Sequence, residues 1–153
     1  QIGPGIRICV LGGTAFRGPD SEALTAGLAA QLDAALSASA VFITGGMAGV
    51  QETFAKHCPN AKVFNLLQIG GSSGYGVGVD LEAGESLDER KKIFGQIGDI
   101  YITVEGGPGV AQEARDAFAR GAGIVPLMRT GGASGGQFDF PAEALKPPAF
   151  AEA

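Results

Sequence analysis

A glycine-rich turn that could bind a phosphate lies between an apolar run and a predicted helix. The turn Glu105–Gly109 (Glu-Gly-Gly-Pro-Gly) directly follows the apolar run Ile100–Val104. Glycine lets the backbone approach a ligand closely, and the next helix points its free N–H groups and positive dipole end at the same spot. The pattern predicts a phosphate site at Gly106, Gly107 and Gly109, and the alternative is a tight turn without a ligand.

Two more glycine turns directly follow apolar runs that resemble buried strands. The first reads Gly-Gly-Thr and the second reads Gly-Gly-Met-Ala-Gly. In open parallel α/β sheets, ligands bind beyond the carboxyl ends of the strands, where such turns lie. We therefore expect six further contacts to a phosphorylated ligand: Gly12, Gly13, Thr14, Gly45, Gly46 and Gly49.

Two charged side chains could act on a ligand held at these turns. Glu113 falls in the first turn of a helix predicted to begin near Val110. There it either complements the helix dipole or stabilises positive charge and activates water. Arg90 lies in the charged run 87–92, which is either a solvated helix face or the source of a clamp for phosphate or substrate. Lys91 and Val110 complete the candidate ligand contacts.

Strands and helices alternate along the chain and would position these residues. Apolar runs predict five strands: Ile6–Leu11, Ala40–Thr44, Ala61–Leu67, Ile100–Val104 and Ile124–Met128. Helical spacing predicts four helices: one capped by Ser21 and including Leu24–Leu36, then Val50–His57, Leu87–Gln96 and Val110–Arg120. Pro126 predicts an edge position or a strand end for the last strand. This order predicts an α/β fold, a three-layer α/β/α Rossmann-like domain with a parallel sheet.

Two glycine-rich segments have no predicted secondary structure. The stretch Gly70–Gly78 is either a lid over the site or a floppy surface loop. The Gly/Pro-rich tail 130–153 is either mobile or docked. Three aromatic residues could dock it: Phe138, Phe140 and Phe150. No linker divides the chain, so we expect one nucleotide-binding domain over residues 1–153.

Composition and charge limit the possible functions. The 153 residues are 45% hydrophobic and 18% charged, as in folded globular domains. The net charge of −5 argues against a general nucleic-acid binder but not against a small phosphorylated ligand. No metal-ligand spacing occurs, so no metal site is expected, and the single histidine, His57, reads as a surface or capping residue.

Cysteine usage and hydropathy indicate a cytoplasmic protein. Cys9 lies in an apolar strand and Cys58 at a helix end, so we expect a reducing compartment rather than a disulfide. No signal peptide or membrane-spanning apolar run is recognisable, so no membrane association is expected. Because the chain begins with Gln1 rather than Met, we expect a trimmed or incomplete N-terminus.

The charged run and the glycine turn together resemble a known family. The segments Ser86–Lys91 and Gly106–Glu113 are similar to the signature of the LONELY GUY family, the cytokinin-activating phosphoribohydrolases also known as lysine-decarboxylase-like proteins. The family pattern is Met-His-x-Arg-Lys followed by Pro-Gly-Gly-x-Gly-Thr-x-x-Glu. The run Ile8–Thr14 and the turn at Gly45 resemble the family's first two βα turns, so the resemblance covers roughly residues 6–128.

The resemblance implies an enzyme that hydrolyses nucleoside 5′-monophosphates to a free base and ribose 5-phosphate, without a cofactor. Arg90 and Glu113 would be the catalytic pair. Glu113 would support the oxocarbenium-like ribosyl centre or orient the water, and Arg90 would hold the nucleotide. The backbone of Gly107 and Gly109 would bind the 5′-phosphate. Members of the superfamily form dimers or larger assemblies, so a homodimer or homotetramer is expected.

The chain departs from the family pattern at positions beside the predicted site. Glu105 replaces Pro and adds negative charge near the phosphate, Val110 replaces the Thr whose hydroxyl contacts it, and Leu87-Asp88 replaces Met-His. These changes bring the chain closer to a sister group of the same fold, the molybdenum cofactor carrier proteins. Those proteins bind a phosphorylated pterin without hydrolysing it. Non-catalytic binding of a nucleotide or a molybdopterin phosphate is therefore the alternative function.

Overall fold

The computed structural model describes residues 2–147, which form a six-stranded parallel sheet with helices on both faces. The strands are β1 (Ile6–Gly12), β2 (Ala40–Thr44), β3 (Lys62–Leu67), β4 (Val79–Glu82), β5 (Ile100–Val104) and β6 (Gly123–Leu127). The helices are α1 (Ser21–Leu36), α2 (Val50–Lys56), α3 (Leu87–Ile97) and α4 (Pro108–Ala119). The strand order is β4-β3-β2-β1-β5-β6. The predicted three-layer α/β/α Rossmann-like fold is confirmed.

Alternating side chains of β1 fill two hydrophobic cores, one on each face of the sheet. Ile8 and Val10 pack with α1 and α2, whereas Cys9 and Leu11 pack with α3 and α4. A strand buried on both faces needs a continuous apolar sequence, which is why the central strands are recognisable. Cys58 belongs to the first core and Cys9 to the second, so the sheet separates the two thiols and both are free.

The sequence predicts five strands, and the sixth, β4, lies in a segment expected to be a loop. Three of its four residues are exposed because β4 is an edge strand, so it lacks an apolar pattern. The loop Gly70–Gly78 before it is anchored to the sheet. The Asp80 carboxylate accepts hydrogen bonds from the Ser73 amide at 3.0 Å and from Asn65 Nδ2 at 3.1 Å. Tyr75 is buried against the first core, so the loop packs on the domain through this side chain.

The remaining elements follow the prediction closely, with two differences at helix starts. Strand β6 lies at the other edge of the sheet, as Pro126 predicts. Asp20 is the N-cap of α1, so the prediction of Ser21 as N-cap is wrong. Helix α4 begins at Pro108, because proline is well suited to the first helical position, where no N–H is needed. Glu113 therefore lies in the second turn of α4 and not in the first.

The chain after β6 docks against α4 and the end of β5. It contains three 3₁₀ turns: Met128–Thr130, Gly132–Gly135 and Ala142–Leu145. Phe140 is buried against alanines of α4, whereas Phe138 remains exposed, and Phe150 lies outside the described residues. We call residues 128–147 the C-terminal strap.

Candidate active site

A cavity of about 440 Å³ opens at the carboxyl ends of β1 and β5. Strand β1 lies between β2 and β5, so the chain leaves it on one side and later returns on the other. Open α/β sheets bind ligands at such a switch point, and small-molecule sites have volumes in this range. The walls come from the turn after β1, the first turns of α3 and α4, and the C-terminal strap. The cavity has the place and the size of a small-molecule site.

The start of α4 forms a corner in which backbone N–H groups are free. Gly107 is the N-cap and Pro108 is the first helical residue. The Ala111 amide donates to the Gly107 carbonyl oxygen at 3.2 Å. The amides of Gly109 and Val110 precede this bond and have no acceptor within residues 2–147, and both residues line the cavity at the positive end of the helix dipole. This corner, residues 106–110, has the properties of a phosphate site, and we call it the phosphate corner.

Side chains and backbone geometry complete the phosphate corner. Gly106 has a φ of 98°, and a Cβ there would lie 2.7 Å from Cβ of Val110, so only glycine fits. Lys91 Nζ lies 3.8 Å from the position that a Cβ on Gly109 would take. The Lys91 ammonium group therefore adds a positive charge beside the free amides.

Glu113 lines the same cavity from the second turn of α4. It is 9% exposed, and within residues 2–147 its Oε2 has no hydrogen-bond partner. Buried polar atoms are nearly always hydrogen-bonded, so a buried carboxylate oxygen without a partner calls for an explanation, and a role in catalysis is one. Burial raises the pKa of Glu113 above its ordinary value, and the attraction of Arg90 and then of Lys91 only partly opposes the rise. A second-turn position also weakens the alternative that Glu113 merely complements the helix dipole.

Arg90 lines the cavity from α3 and is only 3% exposed. Its guanidinium group packs close to Gly45, and its Cζ lies 5.9 Å from the ring centre of Phe94. No ion pair forms between Arg90 and another residue of the described range. Burial lowers the pKa of Arg90, and Glu113 opposes that shift. A desolvated cation without an ion pair is unfavourable for folding. Such cations are common at sites that bind an anionic or polar ligand.

The structure brings most of the predicted site residues into one cavity. Arg90 and Glu113 face it from neighbouring helices without forming an ion pair with each other. A ligand between them would meet both charges in a desolvated setting, where electrostatic interactions are strong. The other predicted residues that line the cavity are Gly12, Gly13, Thr14, Lys91, Gly106, Gly107, Gly109 and Val110.

The second glycine turn has a different role. Gly45, Gly46 and Gly49 are not among the described residues that line the cavity. The amides of Gly45 and Gly46 already donate to side chains near the turn, that of Gly45 to Gln51 Oε1 at 2.6 Å. Gly49 has a φ of 81° and packs against the backbone of the first glycine turn. These glycines shape the turn and leave room for Arg90, so we infer that their contribution to ligand binding is indirect.

Ten residues of the cavity wall were not predicted as ligand contacts, among them Met47, Gln51, Gln137 and Phe138. Gln51 could have been predicted from the sequence. It is a polar residue in the first turn of the helix that follows a glycine turn, and such a residue often caps the glycine turn. Gln137 and Phe138 could not have been predicted, because they come from the C-terminal strap and no spacing rule connects them to the sheet. Only the docking of the strap brings them to the cavity.

Glu105 also lines the cavity, but its carboxylate is engaged elsewhere. Its oxygens accept hydrogen bonds from the amides of Arg17 at 2.9 Å and Gly18 at 2.8 Å, and the residue is 4% exposed. Burial alone would raise the pKa of this carboxyl. Hydrogen bonds from the Ser21 hydroxyl and the two amides outweigh burial and hold the pKa below its ordinary value. The negative charge that the sequence places beside the phosphate corner is therefore already balanced by donors of the β1–α1 loop.

Replacing Glu105 by glutamine should destabilise the fold. The amide would offer one oxygen and present an NH₂ group to the remaining backbone donor, so a loss of about 1–3 kcal/mol in unfolding free energy is expected at pH 7. Because the folded-state pKa is depressed, this stabilisation is present above the unfolded carboxyl pKa of about 4.3 and is lost as the pH falls through the folded value. Urea unfolding of wild type and Glu105→Gln at pH 7 and below pH 4 measures both effects.

The control for this experiment is Glu143→Gln, which removes an exposed partner of Lys146. Exposed ion pairs contribute little, so this control should unfold like the wild type. A Glu105→Gln variant that is as stable as the control at pH 7 would contradict the proposed role of the carboxylate.

Comparisons with known proteins establish the fold. No family model matches the sequence, and no curated protein matches it. The solved structure of TM1055 has a TM-score of 0.69 and 21% identity, with 84% of this chain and 78% of that chain covered. The molybdenum cofactor carrier protein of Chlamydomonas reinhardtii has a TM-score of 0.65 and 19% identity, with 78% and 74% covered. The single-stranded-DNA-binding DNA processing protein A of Helicobacter pylori has a TM-score of 0.63 and 17% identity, with 79% and 64% covered.

Proposed function

We propose that this protein hydrolyses the N-glycosidic bond of nucleoside 5′-monophosphates, giving a free base and ribose 5-phosphate. The observation that carries the proposal is the pair Arg90 and Glu113. Both are buried, both line the cavity of the phosphate corner, and neither forms an ion pair within residues 2–147. Structural residues rarely leave two opposite charges desolvated beside free backbone donors. The resemblance of both segments to the LONELY GUY signature supports the same roles.

The phosphate corner and Lys91 would fix the 5′-phosphate. The free amides of Gly109 and Val110 supply hydrogen bonds, and the helix dipole and the ammonium group supply positive potential. Anchoring the phosphate orients the ribose with respect to Arg90 and Glu113. The free energy of phosphate binding thereby helps to align C1′ for the reaction.

Glu113 and Arg90 would act at the ribosyl centre. As the C1′–N bond breaks, positive charge develops on the ribose, and an ionised Glu113 stabilises it. The oxygen of a water then bonds to C1′, one water proton passes to Glu113, and the departing base takes a proton from solvent. A carboxylate with a raised pKa is a better acceptor for that proton than an ordinary one. Arg90 would hold the nucleotide through its planar guanidinium group. We propose that no cofactor or metal takes part.

Incubation of the protein with AMP, GMP, CMP and UMP tests this function. Chromatography should detect free base and ribose 5-phosphate in equal amounts from at least one nucleotide. If none of the four yields free base above the rate without protein, the hydrolase proposal is wrong.

Non-catalytic binding is the second candidate, favoured by Val110. At this position the LONELY GUY pattern has a threonine, and the valine side chain cannot donate a hydrogen bond to phosphate. Two of the similar solved structures are described as molybdenum cofactor carrier or binding proteins. A carrier would show a higher melting temperature with a phosphorylated ligand that is recovered unchanged. If AMP, GMP, CMP, UMP and inorganic phosphate all leave the melting temperature unchanged and none of the four nucleotides is consumed, both candidates fail.

The small ligand is proposed as the principal partner, without nucleic acid or membrane. The net charge of −5 disfavours a polyanion, although one similar structure binds single-stranded DNA. Within residues 2–147 no helix has the length and apolarity to span a bilayer. The free thiols fit a reducing compartment, and we propose the cytoplasm. A homodimer or homotetramer stays a prediction, which light scattering in solution would test.

A further inference from the structure

An aromatic side chain is left exposed at the rim of the cavity. Phe138 lines the cavity and yet is 46% exposed, whereas Phe140, two residues later, is buried in a core cluster. Isolated exposed aromatic residues are common and need no explanation by themselves. Phe138 differs from such residues because its backbone is held in an unfavourable conformation beside a cavity.

The backbone at this position is strained and specifically restrained. Phe138 and Asp139 have φ angles of 61° and 62°, a region that side-chain-bearing residues seldom adopt. Arg115 on α4 donates hydrogen bonds to both carbonyl oxygens, at 2.7 Å to that of Phe138 and at 3.0 Å to that of Asp139. A third bond, from Arg115 to Gln112 Oε1 at 2.6 Å, fixes the guanidinium group. The strain is therefore maintained by dedicated contacts.

The strap is also tied directly to the phosphate corner. The Ala133 amide donates to the Gly106 carbonyl oxygen at 2.8 Å. The Ser134 amide and hydroxyl both donate to the Glu105 carbonyl oxygen, at 3.1 Å and 2.9 Å. Helix α4 supplies the free amides and also holds Phe138 through Arg115. The position of Phe138 relative to the phosphate corner is therefore fixed.

We propose that Phe138 is the stacking surface for the planar heterocycle of the ligand. This inference rests on the proposed function of the same cavity, and it names the part that recognises the base. A phosphate at the corner would leave the base to extend toward the rim, where an exposed ring gains contact area on stacking. The neighbouring Gln137 lines the cavity and offers an amide that can donate to and accept from the edge of a base. The ligand class is a phosphorylated heterocycle, and ring stacking accepts more than one base.

Calorimetric titrations with AMP and with ribose 5-phosphate test the proposal. They are made in a Glu113→Gln background, so that turnover does not disturb the binding measurement. Phe138→Ala should weaken AMP binding by about tenfold, because stacking on one aromatic residue contributes on that scale, and should leave ribose 5-phosphate binding unchanged. Phe138→Tyr, which keeps the ring, should bind AMP like the parent. Phe118→Ala removes another exposed phenylalanine that does not line the cavity, and it should change neither affinity.

Arg115 is a positioning residue in this scheme, and a double-mutant cycle tests it. Arg115→Met should weaken AMP binding in the presence of Phe138 and have no further effect in the Phe138→Ala variant. Ribose 5-phosphate binding should again be unchanged, whereas a general loss of structure would weaken it as well. Equal losses of AMP affinity with and without Phe138 would overturn the positioning role.

The possible failures of the two proposals differ. If Phe138→Ala binds AMP like the parent while the wild type hydrolyses AMP, the stacking proposal is wrong and the hydrolase proposal stands. If the wild type hydrolyses none of AMP, GMP, CMP and UMP, yet binds AMP and loses that affinity in Phe138→Ala, the stacking proposal stands and the hydrolase proposal is wrong. If Phe138→Ala weakens AMP and ribose 5-phosphate equally, the residue supports the fold of the cavity rather than the base, and the stacking proposal is overturned.

Discussion

Replacing Glu113 by glutamine is expected to reduce kcat for AMP hydrolysis by a factor of about 10²–10⁴ while KM changes little. The loss follows because a glutamine can neither stabilise the developing positive charge nor accept the proton of water. The size of the substrate site is preserved, since the two side chains have nearly the same shape. Steady-state assays of base release measure both constants, and an effect on kcat alone indicates an interaction made mainly in the transition state.

A matched control for this variant is Glu22→Gln. Glu22 is an exposed carboxylate in the first turn of α1. Its replacement removes the same charge as Glu113→Gln, but from a helix outside the cavity. The control should keep the wild-type kcat. Equal activities for Glu113→Gln and wild type would exclude the proposed chemistry, even if the protein hydrolyses AMP.

The same substitution has a pH-dependent effect on stability. Because burial raises the folded-state pKa of Glu113, the folded protein binds its proton more tightly than the unfolded chain does. Stability is therefore lost as the pH rises from the unfolded carboxyl pKa, about 4.3, through the raised folded value, and the loss persists above it. Glutamine resembles the protonated form, so Glu113→Gln should unfold at a higher temperature than the wild type at pH 7. This advantage should vanish at low pH, where both side chains are neutral.

The sheet could be predicted from the sequence wherever burial on both faces imposes an apolar run. The core strand Ile100–Val104 has the predicted bounds, and Ile6–Gly12 extends the predicted run by one residue. Strand Val79–Glu82 could not be found in this way, because an edge strand has one neighbour and its exposed side chains can be polar. Its pairing with β3, and the hydrogen bonds that Asp80 accepts from Ser73 and Asn65, join residues that no local sequence pattern connects.

The candidate site was predictable in part, and for different reasons at different residues. Arg90 and Glu113 were found by their spacing and by resemblance, and both line the cavity. The turn at Gly45 has the same local pattern as the phosphate corner, but its amide donates to Gln51, a partner that only the packed helix provides. Glu105 likewise cannot be assigned from the sequence, because its donors come from the loop after β1, far away along the chain. Local pattern predicts which amides could bind an anion, and tertiary packing determines which remain free.

Replacing Arg90 by methionine is expected to reduce kcat/KM for AMP by about 100-fold or more. A guanidinium group that makes charge-assisted hydrogen bonds to a ligand contributes about 1.5–3 kcal/mol for each bond, and the planar group can form two. Arg90→Lys should recover only part of the loss, since the ammonium group keeps the charge without the planar geometry. Lys92→Met is the matched control, because it removes an exposed cation from the same helix without touching the cavity.

The stability of the Arg90→Met variant separates a ligand-binding role from a structural one. In the free protein the guanidinium group is desolvated and has no ion-pair partner among residues 2–147, and burial lowers its pKa. A methionine of similar length would pack beside Phe94 without that electrostatic penalty. Below the unfolded carboxyl pKa of about 4.3, where Glu113 is protonated and loses nothing with the cation, the variant should melt at a higher temperature than the wild type in the absence of ligand. A residue whose removal improves the fold and impairs the reaction is retained for function. If Arg90→Met instead melts at a lower temperature and keeps its activity, Arg90 is a structural residue and the proposed catalytic pair is wrong.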